Sequence, residues 1–310
     1  MKIFKPKFWH EKNSILSFLF LPLSFFFQLL SNFEKKIKKG QKFNTPVICV
    51  GNIYLGGTGK TPLSIKIAEI FKKRNKKIAI IKKFYKSHND EFKLIESKKI
   101  KLITGRSRIL ALKKLTKNKF DCVILDDGFQ DASIIKDLNI ICFNGEQLAG
   151  NEMTLPSGPL REPMSSLKKS QIVVINGKVN KDFEKKIKSI SKEISIYYSE
   201  YVPTNLNEFR GKNLLAFGGI GNPNNFFNLL KKKKLKVVKK ISYPDHYNYS
   251  KNELKNLVKY SVANKLKVIT TEKDYSRIKH YKIPQIKYLN VKLVMKNKSN
   301  FEKEVIKCLL

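Results

Sequence analysis

Residues 47–71 read VICVGNIYLGGTGKTPLSIKIAEIF, three glycines with a lysine and a threonine between an apolar run and a helical pattern. A strand, a glycine-rich turn and a helix opening near Thr61, in that order, form the setting a phosphate-binding loop requires. Glycines let successive backbone N–H groups converge on phosphate oxygens, and the helix N-terminus adds its partial positive charge there. In that arrangement Lys60 bridges the β and γ phosphates and Thr61 offers its hydroxyl to Mg²⁺. The strict G-x-x-x-x-G-K-[ST] pattern needs glycine at position 54, where the chain has Tyr54, but from Gly56 onward GGTGKT fits it closely.

Such a loop calls for a carboxylate beside the metal. The stretch CVILDDGFQ (122–130) is an apolar strand pattern ending in Asp126 and Asp127. In an open α/β sheet that strand end lies beside the phosphate loop, so either acid can hold Mg²⁺, directly or through water. The plainer alternative is that the pair caps a turn. His246 is the best-placed histidine. It follows Asp245 in the loop YPDHYNY, which leads into SKNE (250–253), a capping box that starts a helix. His88 is a rival. TTEKD (270–274) follows a strand and sets Lys273 either near a domain cleft or in a surface pair with Asp274. GGIG (218–221) lacks the dinucleotide spacing and reads as a strand-to-helix turn. The run KKKKLKVVKK (231–240) reads as a solvated helix end.

The elements that must position these residues alternate. Strand patterns at 46–50, 77–81, 100–104, 120–127 and 138–143 are interleaved with helical patterns at 62–74 and 107–117. The pattern resumes at 170–177, 212–221 and 267–271, after the proline-rich LPSGPLREPMSS. This alternation predicts mostly parallel α/β/α sheets. It divides the chain into an N-terminal segment (1–40), a nucleotide-binding domain (41–165) and a second α/β domain (166–310) that completes the acceptor side.

Residues 13–33 carry no charge, and lysines flank them on both sides. The strongly apolar part, Ile15 to Leu30, makes about 24 Å of helix, short for a bilayer core of about 30 Å. No small-residue cleavage site follows, which argues against a secretion signal. Basic flanks suit a shallow or in-plane membrane helix, and the alternative is a buried core helix. The net charge of +38 would suit a polyanion, yet the lysines are spread along the whole chain and no nucleic-acid-binding signature accompanies them. Nucleic acid is therefore not expected as a partner, and no obligate protein partner is evident. The four cysteines form no C-x-x-C pair and read as buried free thiols.

Five stretches in order, VICVGNIYLGGTGKTPL, ILDDGFQ, LPSGPLREP, FGGIGNPNNFF with YPDHYNYS, and VITTEKD, resemble the tetraacyldisaccharide 4'-kinase family. The resemblance extends over nearly the whole chain, including the N-terminal LPLS stretch. It implies two P-loop or RecA-like domains at the cytoplasmic face of the inner membrane, held there by the N-terminal helix. The implied reaction moves the γ-phosphate of ATP to the 4'-hydroxyl of tetraacyldisaccharide 1-phosphate, a glycolipid, with Mg²⁺ as the metal.

Carried over residue by residue, the family's nucleotide loop falls on Tyr54, Leu55, Gly56, Gly57, Thr58, Gly59, Lys60 and Thr61. Its acidic pair falls on Asp126 and Asp127, followed by Gln130. Its catalytic aspartate falls on Asp90 with Glu91 beside it, its histidine on His246, and its GPLREP turn brings Arg161 and Glu162. The chain departs from the family's SRGYG segment, reading KKFYKSH instead, and has Asp131 where histidine is usual. Two other function classes fit parts of the sequence: a membrane-docked P-loop ATPase acting as a switch, and a basic RNA-binding protein with a vestigial loop. A kinase transfers phosphate to lipid, a switch releases it to water, and an RNA binder does neither.

Overall fold

The computed structural model describes residues 6–85, 89–115 and 119–309. Two N-terminal helices, α1 (Ile15–Leu19) and α2 (Leu21–Ile37), precede β1 (Val47–Gly51), α3 (Lys60–Lys72) and β2 (Ile78–Lys83). Then come α4 (Asn89–Ser97), β3 (Lys101–Gly105), α5 (Arg108–Leu115), β4 (Cys122–Asp126) and β5 (Leu138–Asn144). Next follow β6 (Ile172–Asn176), α6 (Lys181–Ile190), β7 (Ser195–Pro203), β8 (Asn213–Gly218), α7 (Pro223–Lys232) and β9 (Lys236–Ser242). The chain ends with α8 (Lys251–Ala263), β10 (Lys267–Thr271), α9 (Glu272–Ile278), β11 (Ile286–Leu289), β12 (Val291–Met295) and α10 (Lys298–Ile306).

Two compact units result. The first has its described residues within Ile3–Phe84, Lys99–Glu200 and Val294–Leu310. Its sheet has the order β12-β7-β6-β5-β1-β4-β2-β3. From β7 to β3 every neighbouring pair is parallel. The strands β1 and β4 are buried along their whole length, which is why they read as continuous apolar runs without alternation. Because β1 lies between β4 and β5, the chain reverses its direction of travel across the sheet there. In doubly wound sheets that switch point is where ligands bind, outside the carboxyl ends of the strands.

The second unit comprises Tyr85–Lys98 and Tyr201–Leu293 among its described residues, around the parallel sheet β11-β10-β8-β9. Its inner faces hold Phe217, Tyr249, Leu254 and Ile278 on one side and Phe226, Phe227, Leu230 and Leu289 on the other. The helix α4 arrives from far upstream in the sequence and packs on α9.

The two mostly parallel sheets match the expectation, but the division falls elsewhere than residue 165. Ile172 pairs with Ile140 and Ser195 with Ile172, so β6 and β7 continue the first sheet to about residue 200. A βαβ alternation looks the same on both sides of an interruption, so periodicity alone cannot say which sheet a strand joins. The proline-rich LPSGPLREP stretch is no linker either. Ser157 and Leu160 in it are fully buried, and Leu160 bridges both Tyr54 and Thr154. The lysine run 231–240 is also more than a helix end: α7 stops at Lys232, and Lys236–Ser242 form the edge strand β9 with alternating exposure. Lysines on an edge strand discourage pairing with another chain.

Pro22 stands in the first turn of α2, separating it from α1. Among the described residues no helix is long and apolar enough to cross a membrane. The buried-core alternative fails, because Ile15, Phe25, Phe26 and Phe33 are 84%, 63%, 55% and 66% exposed. The helix instead turns its small polar residues inward. The Ser24 hydroxyl donates to Thr154 O (3.1 Å), and Ser17 Oγ accepts from Asn151 Nδ2 (3.0 Å). Cys49, Cys122 and Cys142 are buried free thiols, and Cys308 is half-buried.

Candidate active site

In the first unit the phosphate loop runs from the end of β1 to the start of α3. Gly56, Gly57 and Gly59 all have positive φ (74°, 68° and 91°), a region that side chains with a Cβ rarely adopt. Tyr54 does not need that freedom. Its backbone forms a bridge with Leu160 and its side chain is fully buried in the core, which explains why tyrosine is tolerated where the strict motif has glycine. The loop is braced twice more from the same side, by Leu55 N to Pro159 O (2.9 Å) and Arg161 N to Ile53 O (2.6 Å). Inside it, Asn52 Nδ2 donates to Thr58 Oγ1 (2.9 Å). No side chain caps the start of α3. Its first N–H groups therefore point into the loop as donors for an anion.

Beside this loop, β4 ends in the two acids, and they do different things. The Thr61 hydroxyl donates to Asp126 Oδ2 (2.8 Å), and Lys82 Nζ sits 2.6 Å from that oxygen and 3.3 Å from Thr61 Oγ1. Asp126 is fully buried, and its Oδ1 has no hydrogen-bond partner. Asp127, whose backbone takes a positive φ of 64°, instead faces Arg161 Nη1 (2.9 Å) and Lys60 Nζ (3.6 Å). Burial pushes the Asp127 carboxyl up, but Lys60, Arg161 and Lys82 outweigh it and hold the carboxyl well below the usual carboxylate range. Gln130 joins this set, accepting from Arg161 Nη1 (3.3 Å) and donating to Asn52 O (2.8 Å). Glu162 pairs with Lys35 of α2 (2.9 Å).

The residues present suit Mg²⁺. That ion takes one or two carboxylates and completes its shell with phosphate oxygens and water. Asp126, with one buried oxygen unsatisfied and a threonine hydroxyl alongside, is such a donor set. Among the described residues no cluster of three or more His, Cys, Asp or Glu side chains offers a closed protein cage.

In the second unit, Asp90 lies in the first turn of α4 and is buried. Arg277 clamps one of its oxygens, Nη2 at 2.5 Å and Nε at 3.0 Å from Oδ2. Lys273 Nζ lies 3.5 Å from the same atom and also contacts Glu91 Oε1 (3.1 Å) and Asp245 Oδ1 (3.7 Å). The other oxygen, Oδ1, lies 3.4 Å from His246 Nδ1. Burial alone would raise the Asp90 carboxyl, but His246, Lys273 and Arg277 together press it far below the ordinary range. Burial likewise opposes the charge on Lys273, and Glu91, Asp245 and Asp90 more than restore it.

Local structure explains the convergence. Lys273 and Arg277, four residues apart on α9, share one helix face. Thr271 caps α9 by accepting from Asp274 N (3.0 Å). Asp274 in turn anchors the helix by accepting from Gly219 N (3.1 Å), Tyr249 (3.0 Å) and Arg277 Nη1 (2.9 Å). A Cβ on Gly219 would lie 2.6 Å from the Tyr249 hydroxyl, so the GGIG turn needs glycine to let this network close. The capping box Ser250–Glu253 is formed at the start of α8. The loop before it stacks Tyr243, Tyr247 and Tyr249, with His246 at a positive φ of 56°.

The phosphate-loop residues, Asp126, Asp127, Gln130, Arg161 and Glu162 thus all belong to the first unit. Asp90, Glu91 and His246 come together in the second. His88 lies outside the described residues. Sequence reasoning missed Lys82 and Arg277 and left Lys273 open as a surface pair. The signal for Lys82 was a charge at the carboxyl end of an otherwise apolar strand pattern, IAIIKK. Nothing local tied residues 273 and 277 to residue 90.

Comparison with known proteins bears on the family and the fold. The family model described as tetraacyldisaccharide-1-P 4'-kinase matches residues 16–309. A tetraacyldisaccharide 4'-kinase of Pelagibacter ubique is 43% identical over 312 residues, covering 99% of this chain and 98% of that protein. One of Rickettsia canadensis is 33% identical over 327 residues, covering 99% and 98%. The crystal structure of an apo-form LpxK from Aquifex aeolicus in complex with ATP has a similar fold. Its TM-score is 0.73 at 23% identity, over 96% of this chain and all of that one. The chain belongs to the tetraacyldisaccharide-1-P 4'-kinase family.

Proposed function

We propose a division of labour between the two units for the reaction of this family, transfer of the γ-phosphate of ATP to the 4'-hydroxyl of tetraacyldisaccharide 1-phosphate in lipid A biosynthesis. The first unit holds the donor. Gly56 to Thr61 cradle the phosphates with backbone N–H groups, and Lys60 follows the charge that develops on the transferring group. Thr61 and Asp126 hold Mg²⁺, which when bound neutralises the phosphate oxygens. Asp127 acts on Lys60 and Arg161 and leaves the metal to Asp126.

The second unit holds the acceptor. Asp90 orients the 4'-hydroxyl and takes its proton, and His246 fixes the carboxylate oxygen that does so. A carboxylate kept this acidic is a weak base for a free sugar hydroxyl. In a loose, metaphosphate-like transition state the proton leaves late, after the forming bond to phosphorus has made it acidic. Positioning therefore contributes more than basicity. The observation that carries the assignment is the pairing of Asp90 Oδ1 with His246 Nδ1 at 3.4 Å, beside cations that keep Asp90 ionised.

The chain meets its lipid substrate at the cytoplasmic face of the inner membrane. The exposed Phe25, Phe26, Phe33 and Ile15 of α1 and α2 support docking in the headgroup region, with the flanking lysines drawn to anionic lipid. Co-sedimentation with vesicles containing anionic lipid should fall when Phe25 and Phe26 are both changed to Asp. Unchanged sedimentation would remove α2 as the anchor.

The chemistry is tested by incubating the protein in detergent micelles with Mg-ATP and tetraacyldisaccharide 1-phosphate and weighing the lipid by mass spectrometry. The lipid should gain one phosphoryl group with the wild-type chain, and at equal enzyme and time far less of it should do so with Lys60→Ala, Asp90→Asn or His246→Ala. ATP hydrolysis with the lipid unchanged would point to a membrane-docked ATPase instead.

A further inference from the structure

Lys82 is a cation already seated at the atoms proposed to hold the metal. It ends the apolar run of β2, is 3% exposed, and its ammonium lies 2.6 Å from Asp126 Oδ2 and 3.3 Å from Thr61 Oγ1. Thr61 donates to the same carboxylate oxygen at 2.8 Å. Lysine, hydroxyl and carboxylate thus share one small buried volume beside the start of α3. Lys82 lies in β2, between β3 and β4 in the sheet, and its burial gives the ammonium little access to water.

A buried carboxylate left without a counter-charge is strongly destabilising, and Lys82 supplies that charge to Asp126 from within the chain. A divalent ion bound through Asp126 would supply it a second time. Two cations cannot share one carboxylate oxygen at contact distance without repelling each other strongly in so dry a place. We propose that Lys82 is an internal counter-ion of the nucleotide site, which competes with divalent metal for Asp126 and must leave Oδ2 before the metal is fully held. The inference rests on the reading that Thr61 and Asp126 hold the metal. Two consequences follow. Metal binds this chain more weakly than the bare Thr61–Asp126 pair would allow, and the metal-free fold does not depend on metal for its stability.

The test uses the full chain in detergent micelles, saturated with a non-hydrolysable ATP analogue. Free Mn²⁺ is read by electron paramagnetic resonance, with a nucleotide-only blank. Lys82→Met removes the charge and keeps the stem. Its Mn²⁺ should bind tighter by roughly 10- to 100-fold, the range over which groups beside a metal ligand alter affinity. Its melting temperature should rise more steeply with added Mn²⁺ than that of the wild-type chain. Equal or weaker Mn²⁺ binding by Lys82→Met overturns the proposal.

Asp126→Asn separates the two layers of the inference. If it abolishes tight Mn²⁺ binding while Lys82→Met changes nothing, only the lysine's role falls. If it leaves binding unchanged, the metal site falls and the lysine's role with it. A Lys82→Met chain that folds only with Mn²⁺ present supports the proposal. Should it fold in neither condition, Lys82→Arg decides. A forked guanidinium grips the carboxylate harder and should weaken Mn²⁺ binding, and binding equal to wild type overturns the competition.

Discussion

Asp126, at the end of β4, and Asp90, in the first turn of α4, are both buried acids, and their surroundings differ in a way that separates their chemistry. Asp126 touches one ammonium and one hydroxyl, both through Oδ2. Asp90 is gripped by Arg277 and Lys273 on one oxygen and faces His246 with the other. A carboxylate met by a single ammonium beside a phosphate loop suits a metal, and one held by an arginine and a lysine beside a histidine suits orientation and proton transfer. The supporting helices differ in the same sense. The helix α8, which follows the His246 loop, is closed by its own Ser250 capping box, whereas α3 begins at Gly59 with no side-chain cap. A helix without a cap keeps its N–H groups for a ligand, and a capped one spends them on stability.

This contrast can be broken at several points. The largest effect is expected from Asp90→Asn, which should lower the rate of lipid phosphorylation about 10²- to 10⁴-fold, the usual worth of a positioned acid–base group. A fluorescent ATP analogue should bind that variant as it binds the wild-type chain, and weakened nucleotide binding would blur the division between the units. Lys60→Ala should cost about 10²- to 10³-fold in kcat/KM, as for loss of one charge-stabilising donor, and should weaken the analogue's binding as well.

Arg277→Gln addresses how Asp90 is held. It removes one side of a buried ion pair, so urea unfolding at neutral pH should show a loss of about 3 kcal/mol. The sign with pH follows from Asp90 being more acidic folded than unfolded. Its contribution is present above the ordinary carboxylate pKa of about 3.9 and is lost as pH falls toward the folded value. The gap between Arg277→Gln and wild type should therefore shrink in acid, and a gap independent of pH would mean that Arg277 stabilises through its packing and its hydrogen bond to Gly219 O rather than through a carboxylate's charge. The acid limb of the activity profile should also move to higher pH in this variant. The smallest effect is expected from Ser250→Ala, about 1 kcal/mol of stability from the lost cap with kcat nearly unchanged.

Legibility followed the same division. The phosphate loop was readable because its geometry is made by backbone: glycines at positive φ, a strand before and a helix after, all within about fifteen consecutive residues. The acidic pair stood out because an apolar strand ending in two acids beside such a loop calls for a metal, but the sequence did not say which of Asp126 and Asp127 meets it. Asp90 has no local signal and came only through resemblance to the family. Its partner Arg277 sits 187 residues away along the chain, and Lys273 lies one helical turn before Arg277. The inward face of α2 was hidden for another reason. Its serines are few among many phenylalanines, and only the contact with Thr154 reveals that they are the buried side.

By itself the sequence determined the parallel α/β class, the phosphate loop and its acidic pair, the uncharged N-terminal stretch and the family. Each of these is written in periodicity or in short runs that local backbone geometry interprets. Tertiary structure alone decided that β6 and β7 continue the first sheet and that α4 belongs with α9. It alone decided that Lys82 meets Asp126 and Arg277 meets Asp90. Those choices depend on which sheet edge buries the most apolar surface and which charges can be compensated away from water, and neither quantity exists until distant parts of the chain have met.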